Sequence, residues 1–335
     1  MGTAVPLRRQ ADRPAHRGGS SVRAAHVTTP SAEDPVNAIE VGNVDIPEAP
    51  DGWSRVEIHA GALNMHDIWM LRGVAGGAPC VLGSDGAGIC DGEEVLVHPV
   101  LPATAGRGVA HSVLLSDRGY GLLAEQAVVP AGGVAPKPAH LTWEEAASIP
   151  TAWLTAYRML FTKAGLQAGQ TVLVQGAGGG VSTAVIALAK AAGASVIVTS
   201  RSEAKRERAL EAGADAALRT DERVPDLVDV VIESVGPATF EHSVKSAKAG
   251  GTIVVCGAST GFTAPIDLAR LFARELTVHG STMGTREEFA ALVAFVGEHT
   301  IRPLVDSTVA LDDVRTAAQR MLDGDAFGKL CVAVR

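Results

Sequence analysis

The chain has few cysteines and no pattern in their use, which excludes two classes of protein. Cys80, Cys90, Cys256 and Cys331 are scattered over 335 residues, and no two of them form a C-x-x-C pair. Disulfide frameworks and cysteine-rich zinc sites both need patterned cysteines, so neither is predicted. Cys256 and Cys331 lie in apolar strand-like runs, where a free thiol behaves as a small hydrophobic side chain.

Other features that would indicate particular partners are also missing. The formal net charge is −8, and lysine and arginine are not clustered as a nucleic-acid surface requires, so no nucleic-acid partner is predicted. No apolar run is long enough to cross a membrane. Residues 1–22 carry four arginines but lack the apolar core of a secretory signal. We therefore predict a disordered N-terminal extension over residues 1–22 and a cytoplasmic protein with no membrane partner.

The length of the chain and a change in its residue pattern near residue 150 predict two domains. A chain of 335 residues exceeds what a single core usually supports. Short strand-like runs separated by glycine and proline fill residues 23–150, and Thr142 with Glu145 forms a capping box near their end. From residue 151 onward, apolar strands alternate with helices, which is typical of a parallel sheet covered on both faces.

This alternation assigns the elements of the second domain. We predict a helix over residues 153–164, then strands at 171–175, 195–199, 229–232, 252–256 and 276–279, with intervening helices at 181–192, 202–212, 238–249 and 268–274. A final strand at 329–334 returns to the first domain. The predicted fold class is therefore α/β, with a doubly wound domain over residues 151–284 inserted between residues 23–150 and 285–335.

The most informative segment is TVLVQGAGGGV at residues 171–181. A buried strand runs directly into a glycine-rich turn, and a helix follows at once. Glycines let the backbone approach a pyrophosphate, and the free N–H groups and dipole of the helix hold the negative charge. Because strand, turn, helix and second strand come in order, we predict a dinucleotide site rather than a bare structural turn.

The turn after the second strand, in VTSRSEAKRER, indicates which dinucleotide is used. An acidic residue at this turn selects NAD, whereas its absence with basic residues nearby accommodates a 2′-phosphate. Here Ser200 and Arg201 occupy the turn, Lys205 lies one helical turn later, and no carboxylate precedes Glu203. NADPH is therefore the predicted cofactor. Alternatively, Ser200 and Glu203 form a capping box, and Lys205 is a solvated helix residue.

Taken together, five segments resemble the medium-chain dehydrogenase/reductase superfamily, within it the zinc-free quinone oxidoreductase branch that includes zeta-crystallin. They are GALNMHDIWMLRG (61–73), LGSDGAG (82–88), IPTAWLTAY (149–157), VLVQGAGGGVS (172–182) and FGKLCV (327–332). The resemblance implies a Rossmann domain inserted into a mainly-β, GroES-like catalytic domain. It also implies a homodimer or homotetramer, with residues 275–280 as the strand that pairs between subunits.

The resemblance further implies that both metals of zinc-dependent relatives are absent. The catalytic-zinc ligands of those relatives match Asn64, Ser84 and Thr151, whose amide and hydroxyl groups are not usual zinc ligands. The stretch that holds a structural zinc in relatives, residues 98–121, contains no cysteine. A replacement site built from His66, Asp67, His98 and His111 is the less favoured alternative.

Other positions match residues that line the cofactor in the family. Thr155 matches a residue beside the nicotinamide carboxamide, or it bonds back within its own helix. Lys329 matches a basic residue near the cofactor, or it is a solvated lysine at a strand end. Ser182 replaces the usual third glycine, at some cost to helix packing. The remaining matched residues are, for the pyrophosphate, Gly176, Gly179, Gly180 and Val181, and for the nicotinamide, Gly257, Ala258, Ser259, Ser281, Thr282 and Met283.

Without a metal ion, alcohol oxidation is difficult because nothing lowers the pKa of the hydroxyl. Hydride delivery to an enone C=C or to a quinone needs less help, since the developing charge is delocalised and a few hydrogen-bond donors stabilise it. The resemblance implies that Asn64 lies near the nicotinamide ribose of the cofactor and the substrate carbonyl, to which its amide donates; alternatively, Asn64 only forms a turn. The expected proton source is bulk water, His66 or Tyr120. Asp67 is expected to orient a loop and Asp85 to be a structural acceptor.

The predicted function is thus NADPH-dependent reduction of an enone or a quinone. The tyrosines of some quinone reductases have no match in residues 73–78, which weakens the case for a quinone. Three alternatives stay open. They are a tailoring reductase of a small-molecule biosynthetic pathway, a non-catalytic NADPH-binding sensor and a zinc alcohol dehydrogenase.

Overall fold

The structure is a computed structural model that describes residues 21–101 and 113–335. Ten strands belong to two mainly antiparallel sheets, and the first of them begins at Ser21, so the last two residues of the predicted extension are strand. These strands are β1 (Ser21–Val27), β2 (Ile39–Asp45), β3 (Trp53–Ala62), β4 (Cys80–Val81), β5 (Asp85–Cys90), β6 (Glu93–Val97), β7 (Gln126–Pro130), β8 (Val134–Pro136), β15 (Val305–Ala310) and β16 (Lys329–Ala333).

The larger of these sheets joins the two ends of the described chain. Its seven strands run in the order β15-β16-β3-β5-β6-β8, with β7 also paired to β3. The final strand β16 lies antiparallel to β3 and parallel to β15, so it returns to the sheet built by the first third of the chain. A separate three-stranded sheet has the order β2-β1-β4.

The remaining strands form a six-stranded parallel sheet in the order β11-β10-β9-β12-β13-β14. They are β9 (Thr171–Val174), β10 (Ser195–Thr199), β11 (Ala216–Leu218), β12 (Val228–Glu233), β13 (Ala247–Val255) and β14 (Thr277–Gly280). Numbered within this unit, the order is 3-2-1-4-5-6, which is that of dinucleotide-binding folds. The strand order reverses between β9 and β12, where the carboxyl ends of the strands leave a crevice for a ligand.

Nine helices accompany the strands in the described part of the chain. The predicted capping box at α2 is confirmed, because Thr142 Oγ1 accepts from Glu145 N while Glu145 Oε2 accepts from Thr142 N. The helices are α1 (Met65–Leu71), α2 (Trp143–Ala147), α3 (Ala152–Tyr157), α4 (Gly180–Ala191), α5 (Glu203–Glu211), α6 (Pro237–Ser246), α7 (Leu268–Ala273), α8 (Arg286–Glu298) and α9 (Val314–Asp323).

Two predicted helices differ from those observed. The predicted helix over residues 153–164 is α3 followed by a π-helical segment, Arg158–Lys163. The predicted helix over 238–249 ends at Ser246, and residues 247–255 form β13 instead. The reason is that Gly250 and Gly251 disfavour a helix, while Ala247 pairs with Val228 of β12.

The two sheet systems share one hydrophobic core. A single cluster of buried side chains includes Leu96 of the antiparallel sheet, Trp153 and Leu154 of α3, Val174 of β9 and Phe289 of α8. Both units also meet beside the glycine-rich turn, where a Cβ on Gly180 would lie 2.8 Å from Lys329 Cδ. No helix in the described residues is both long and apolar enough to cross a bilayer.

Candidate active site

The glycine-rich turn after β9 has a backbone that only glycine tolerates. Gly176 and Gly178 have φ angles of 82° and 106°. A Cβ on Gly178 would also lie 3.0 Å from Lys205 Cδ and 3.2 Å from the Phe327 ring. The turn leads directly into α4 at Gly180, whose first N–H groups have no partner within the helix. The predicted turn thus has the shape and donors that a pyrophosphate requires.

A network of buried polar side chains lies next to this turn and holds it in place. The sequence alone did not predict this network. Glu233, fully buried at the end of β12, accepts hydrogen bonds from Val235 N, Gly236 N, Thr239 Oγ1 and Ser243 Oγ at 2.7–3.0 Å. The sequence feature that could have indicated this network is a glutamate at the end of an apolar strand. A carboxylate buried at that position needs hydrogen-bond donors around it.

The same network reaches the glycine turn through β9 and β10. Gln175 donates to Ser243 Oγ at 3.1 Å and to His242 Nδ1 at 2.8 Å. Thr199 donates to Gln175 Oε1 at 2.7 Å and accepts from Gly176 N at 3.3 Å. The ends of three neighbouring strands are therefore fixed relative to one another.

The loops after β12, β13 and β14 lie along the same sheet edge. Ser259 Oγ donates to Val235 O at 3.4 Å, and Ser281 N donates to Val255 O at 2.8 Å. Met283 is buried with a φ of 44°, an unusual conformation for a residue with a side chain. The predicted nicotinamide-lining residues therefore follow two neighbouring strands at this edge; they are Gly257, Ala258 and Ser259 after β13, and Ser281, Thr282 and Met283 after β14.

Thr155 bonds back within its own helix, which was the alternative left open for it. Its hydroxyl donates to Thr151 O at 2.8 Å and lies 3.8 Å from the sulfur of Met283. The side chain therefore faces the loop after β14 although its hydrogen is already engaged. The hydroxyl oxygen can still accept from the NH2 group of a carboxamide, whereas donating to a carboxamide oxygen would require this hydrogen bond to be exchanged.

In the turn after β10, Ser200 does not cap the helix that follows. The N-cap of α5 is Ser202, whose hydroxyl accepts from Lys205 N, so the Ser200–Glu203 capping box is wrong. Ser200 is buried, whereas the Arg201 side chain is exposed. Lys205 is not simply solvated, because its ammonium donates to Gly324 O at 2.6 Å and burial lowers its pKa.

A compact cluster of polar side chains lies where α1, β5, α3 and β16 meet. Asn64 Nδ2 donates to Ser84 Oγ at 3.1 Å and to Asp85 Oδ2 at 2.9 Å. Thr151 donates from its hydroxyl to Ser84 Oγ at 3.2 Å and from its backbone to Asp85 Oδ1 at 2.7 Å. The three positions singled out by the sequence therefore converge, and they bind one another.

Lys329 completes this cluster from the last strand. Its ammonium donates to Leu63 O at 2.7 Å, Asn64 Oδ1 at 2.6 Å and Asp85 Oδ2 at 2.8 Å. Its side chain is only 3% exposed, and that of Asp85 is fully buried. The alternative of a solvated strand-end lysine is wrong. We call Asn64, Ser84, Asp85, Thr151 and Lys329 the lysine cluster.

The predicted proton donors have different surroundings. Burial opposes charge on His66, but a hydrogen bond of 2.7 Å with Asp117 and the charge of that carboxylate outweigh it, so the pKa of His66 is raised. Tyr120 packs against Trp53 at a ring distance of 4.9 Å, and burial raises its pKa. Among the contacts of the described residues, none joins Tyr120 to Asn64.

Asp67 has the loop-orienting role expected of it. Its fully buried carboxylate accepts from Gly83 N at 2.9 Å and from Asn64 N at 2.8 Å. Burial raises the pKa of Asp67 against the effect of these hydrogen bonds. His111 lies outside the described residues. Within the described residues, no three His, Cys, Asp or Glu side chains are grouped to hold a metal ion.

Comparison with known proteins identifies the family. The zinc-binding dehydrogenase family model matches residues 180–298. The 2-methylene-furan-3-one reductase of Solanum lycopersicum is 32% identical over 302 residues, which are 87% of this chain and 74% of that protein. The quinone oxidoreductase of Pongo abelii is 28% identical over 312 residues, 86% of this chain and 91% of the relative. The chain belongs to the medium-chain dehydrogenase/reductase superfamily.

Solved structures of superfamily members share the whole fold. An NAD-dependent alcohol dehydrogenase superposes with a TM-score of 0.85 at 33% identity, covering 93% of this chain and all of that one. The 2-octenoyl-CoA carboxylase reductase CinF, solved with NADP and 2-octenoyl-CoA, gives a TM-score of 0.84 at 26% identity, covering 95% and 88%. The predicted fold class and oxidoreductase activity are confirmed.

The residues of this superfamily member do not fit a catalytic zinc ion. Both hydrogens of the Asn64 amide and the oxygen it would offer are engaged within the lysine cluster. Amide and hydroxyl groups replace the thiolate and imidazole ligands that Zn²⁺ prefers. A dication would also lie within a few ångströms of the Lys329 ammonium, which repels it. No chemical step is therefore derived through zinc.

Proposed function

We propose that the protein is an NADPH-dependent oxidoreductase that works without zinc and delivers hydride to the C=C of an enone or to a quinone. The observation that carries this proposal is the lysine cluster. A buried ammonium, held by Asn64 and Asp85, occupies the constellation that matches the zinc ligands of relatives. The protein therefore has a buried ion pair there, whose two charges compensate each other, but no Lewis acid that could bind and activate an alcohol oxygen.

The chain offers a complete set of groups for NADPH. The turn at Gly176, Gly179 and Gly180 and the first N–H groups of α4 would hold the pyrophosphate. Ser200, Arg201 and Lys205 would hold the 2′-phosphate, since a planar guanidinium suits a phosphate group. When bound, NADPH supplies the hydride. The loops after β13 and β14 would line the nicotinamide.

The residues around the lysine cluster would stabilise the charge that develops on the substrate oxygen. Because the three ammonium hydrogens of Lys329 are all engaged and Asp85 compensates its charge, Lys329 would act by holding Asn64 in position rather than by contacting the substrate oxygen. For the same reason Asn64 can donate to a substrate only by releasing Ser84 or Asp85. We assign the final proton to water or to His66, whose raised pKa keeps it protonated to higher pH.

A substrate panel tests this proposal. We expect NADPH oxidation with cyclohexenone or a substituted benzoquinone, undiminished by a strong zinc chelator, and less than about one zinc per ten chains by elemental analysis. A secondary alcohol with NADP⁺ serves as the contrasting substrate. Zinc at one ion per chain, with alcohol oxidation lost on chelation, would contradict the proposal. Tight NADPH binding with no turnover on any acceptor would favour the sensor.

We also propose that the protein forms a homodimer through the edge of the parallel sheet. Strand β14 is the last in the sheet order, so one side of its backbone is open for pairing. Large apolar side chains are exposed in the segment between β13 and β14 and on β14 itself: Phe262 is 87% exposed, Leu268 64% and Phe272 74%, together with half-exposed Val278. Such a patch on a monomer surface is typical of a protein interface.

Replacing Phe272 with glutamate is expected to shift the protein from dimer to monomer. A charge at the centre of an apolar interface costs several-fold to a hundredfold in affinity, about 1–3 kcal/mol. Sedimentation velocity over a concentration series measures this shift. Leu210→Glu, at an exposed apolar position on α5, is the matched control. A monomeric wild type, or equal effects of the two substitutions, would contradict the proposed interface.

A further inference from the structure

Arg206 lies beside the turn that follows β10 and binds both carbonyl groups of that turn. Its Nη1 donates to Ser200 O at 2.9 Å and to Arg201 O at 3.3 Å. We propose that Arg206 is a positioning residue for cofactor specificity, which holds the Ser200–Arg201 backbone in the shape that accepts a 2′-phosphate. This inference rests on the proposed use of NADPH.

The other polar groups of the turn are held separately. Ser200 N donates to Leu218 O at 2.9 Å, and Ser202 N donates to Ser200 Oγ at 3.2 Å. Because the Ser200 hydroxyl accepts this bond, its own hydrogen remains for an anionic oxygen. The two carbonyl groups bound by Arg206 are thus the part of the turn whose direction depends on that one side chain.

The direction of these carbonyl groups matters for an anion. A carbonyl oxygen carries partial negative charge and repels a phosphate, whereas N–H and O–H groups attract it. With Arg206 in place, the carbonyl oxygens of Ser200 and Arg201 point to a guanidinium. Without it, they are free to turn toward the ligand. The backbone that carries the exposed Arg201 side chain would then also be less ordered. Ordering that side chain on a bound phosphate would therefore cost more conformational entropy.

Charge and positioning can be separated at this residue. The site has positive potential from three side chains, Arg201, Lys205 and Arg206. Loss of the Arg206 charge alone would therefore weaken the binding of a phosphate group there. A lysine keeps the charge, but its side chain is one bond shorter than the one that carries Nη1, the atom that donates to both carbonyl oxygens. Arg206→Lys therefore isolates the positioning role, while Arg206→Gln removes both contributions.

The experiment measures binding by calorimetry for NADPH, NADH, adenosine 2′,5′-bisphosphate and AMP. The last two carry only the adenosine end, with and without the 2′-phosphate. We expect Arg206→Gln to weaken NADPH and adenosine 2′,5′-bisphosphate by about 5- to 20-fold, and NADH and AMP by less than about twofold. Arg206→Lys is expected to lose about 3- to 10-fold for the two 2′-phosphate ligands. Arg55→Gln, at an exposed position on β3, controls for the change in net charge.

The outcomes distinguish this inference from a general structural role. Equal weakening of NADPH and NADH, or an Arg206→Lys variant identical to wild type, would overturn it. If Arg201→Gln abolishes the preference for NADPH while Arg206→Gln does not, the cofactor proposal stands and the inference fails. A wild type that binds NADH as tightly as NADPH would overturn both. Melting temperatures of each variant show that the compared proteins are folded.

Discussion

Replacing Lys329 with methionine is expected to lower the free energy of unfolding by about 3–5 kcal/mol, the usual cost of leaving one partner of a buried ion pair alone. The ammonium neutralises Asp85, which is fully buried. Methionine has a similar length but provides neither charge nor donors, so Asp85, Asn64 Oδ1 and Leu63 O all lose a partner. Urea unfolding followed by circular dichroism measures the loss.

Two further variants test the cause of this loss. Lys245→Met makes the same change at an exposed ion pair with Glu241 and is expected to cost less than about 1 kcal/mol. The double variant Asp85→Asn with Lys329→Met removes both charges and is expected to recover at least about 1 kcal/mol relative to Lys329→Met. A Lys329→Met protein as stable as wild type would show that Asp85 is not held by this ammonium.

Replacing Glu233 with alanine is expected to cost about 2–6 kcal/mol in stability, because each of the two buried backbone donors costs about 1–3 kcal/mol when it is left unsatisfied. Val235 N and Gly236 N lose their acceptor, and the hydroxyls of Thr239 and Ser243 lose theirs. The same change is expected to weaken NADPH binding at least about tenfold, since the turn it holds lies against the glycine-rich turn.

The contact between these turns is close. A Cβ on Gly176 would lie 3.0 Å from Val235 Cγ2, and Thr260 N donates to Val235 O at 2.9 Å. Glu233→Gln keeps one oxygen for the two backbone donors and is expected to cost only about 1–2 kcal/mol. Thermal unfolding and NADPH titration of both variants check these values. Equal effects of alanine and glutamine would contradict the assigned hydrogen bonds.

Much of the fold could be predicted from local patterns. The strand over residues 195–199 matches β10, and the glycine-rich turn connects β9 with α4 as expected. Where the prediction was wrong, longer-range pairing decided the outcome. Residues 247–249 follow a helix in sequence and have no local strand signal, but Ala247 pairs with Val228 of β12 across the sheet. A prediction from a short window of sequence has no information about pairing between distant strands.

The residues of the candidate site also fall into two groups, those that a local motif predicts and those that only the fold brings together. Residues carried by a motif, such as Asn64 and Gly176, were found because their neighbours in sequence mark them. The partners of those residues were not assigned: Lys329 was named, but its burial against Asp85 was not foreseen. Arg206 was missed because a surface-helix arginine has ordinary sequence surroundings, and Glu233 was missed although it ends an apolar strand, because its donors come from later in the chain. Their roles depend on which carbonyl or N–H groups the fold brings near.

The ion pair of Lys329 and Asp85 joins residues 244 positions apart in the chain. Strand β16, which carries Lys329, inserts between β15 and β3, so the larger antiparallel sheet stays divided until it arrives. The nucleotide-binding sheet, by contrast, uses only contiguous sequence and can close earlier during synthesis. A nascent chain halted on the ribosome before this strand emerges would carry an uncompensated carboxylate beside its reaction centre. In a nascent chain, the parallel sheet can therefore form before the lysine cluster is complete.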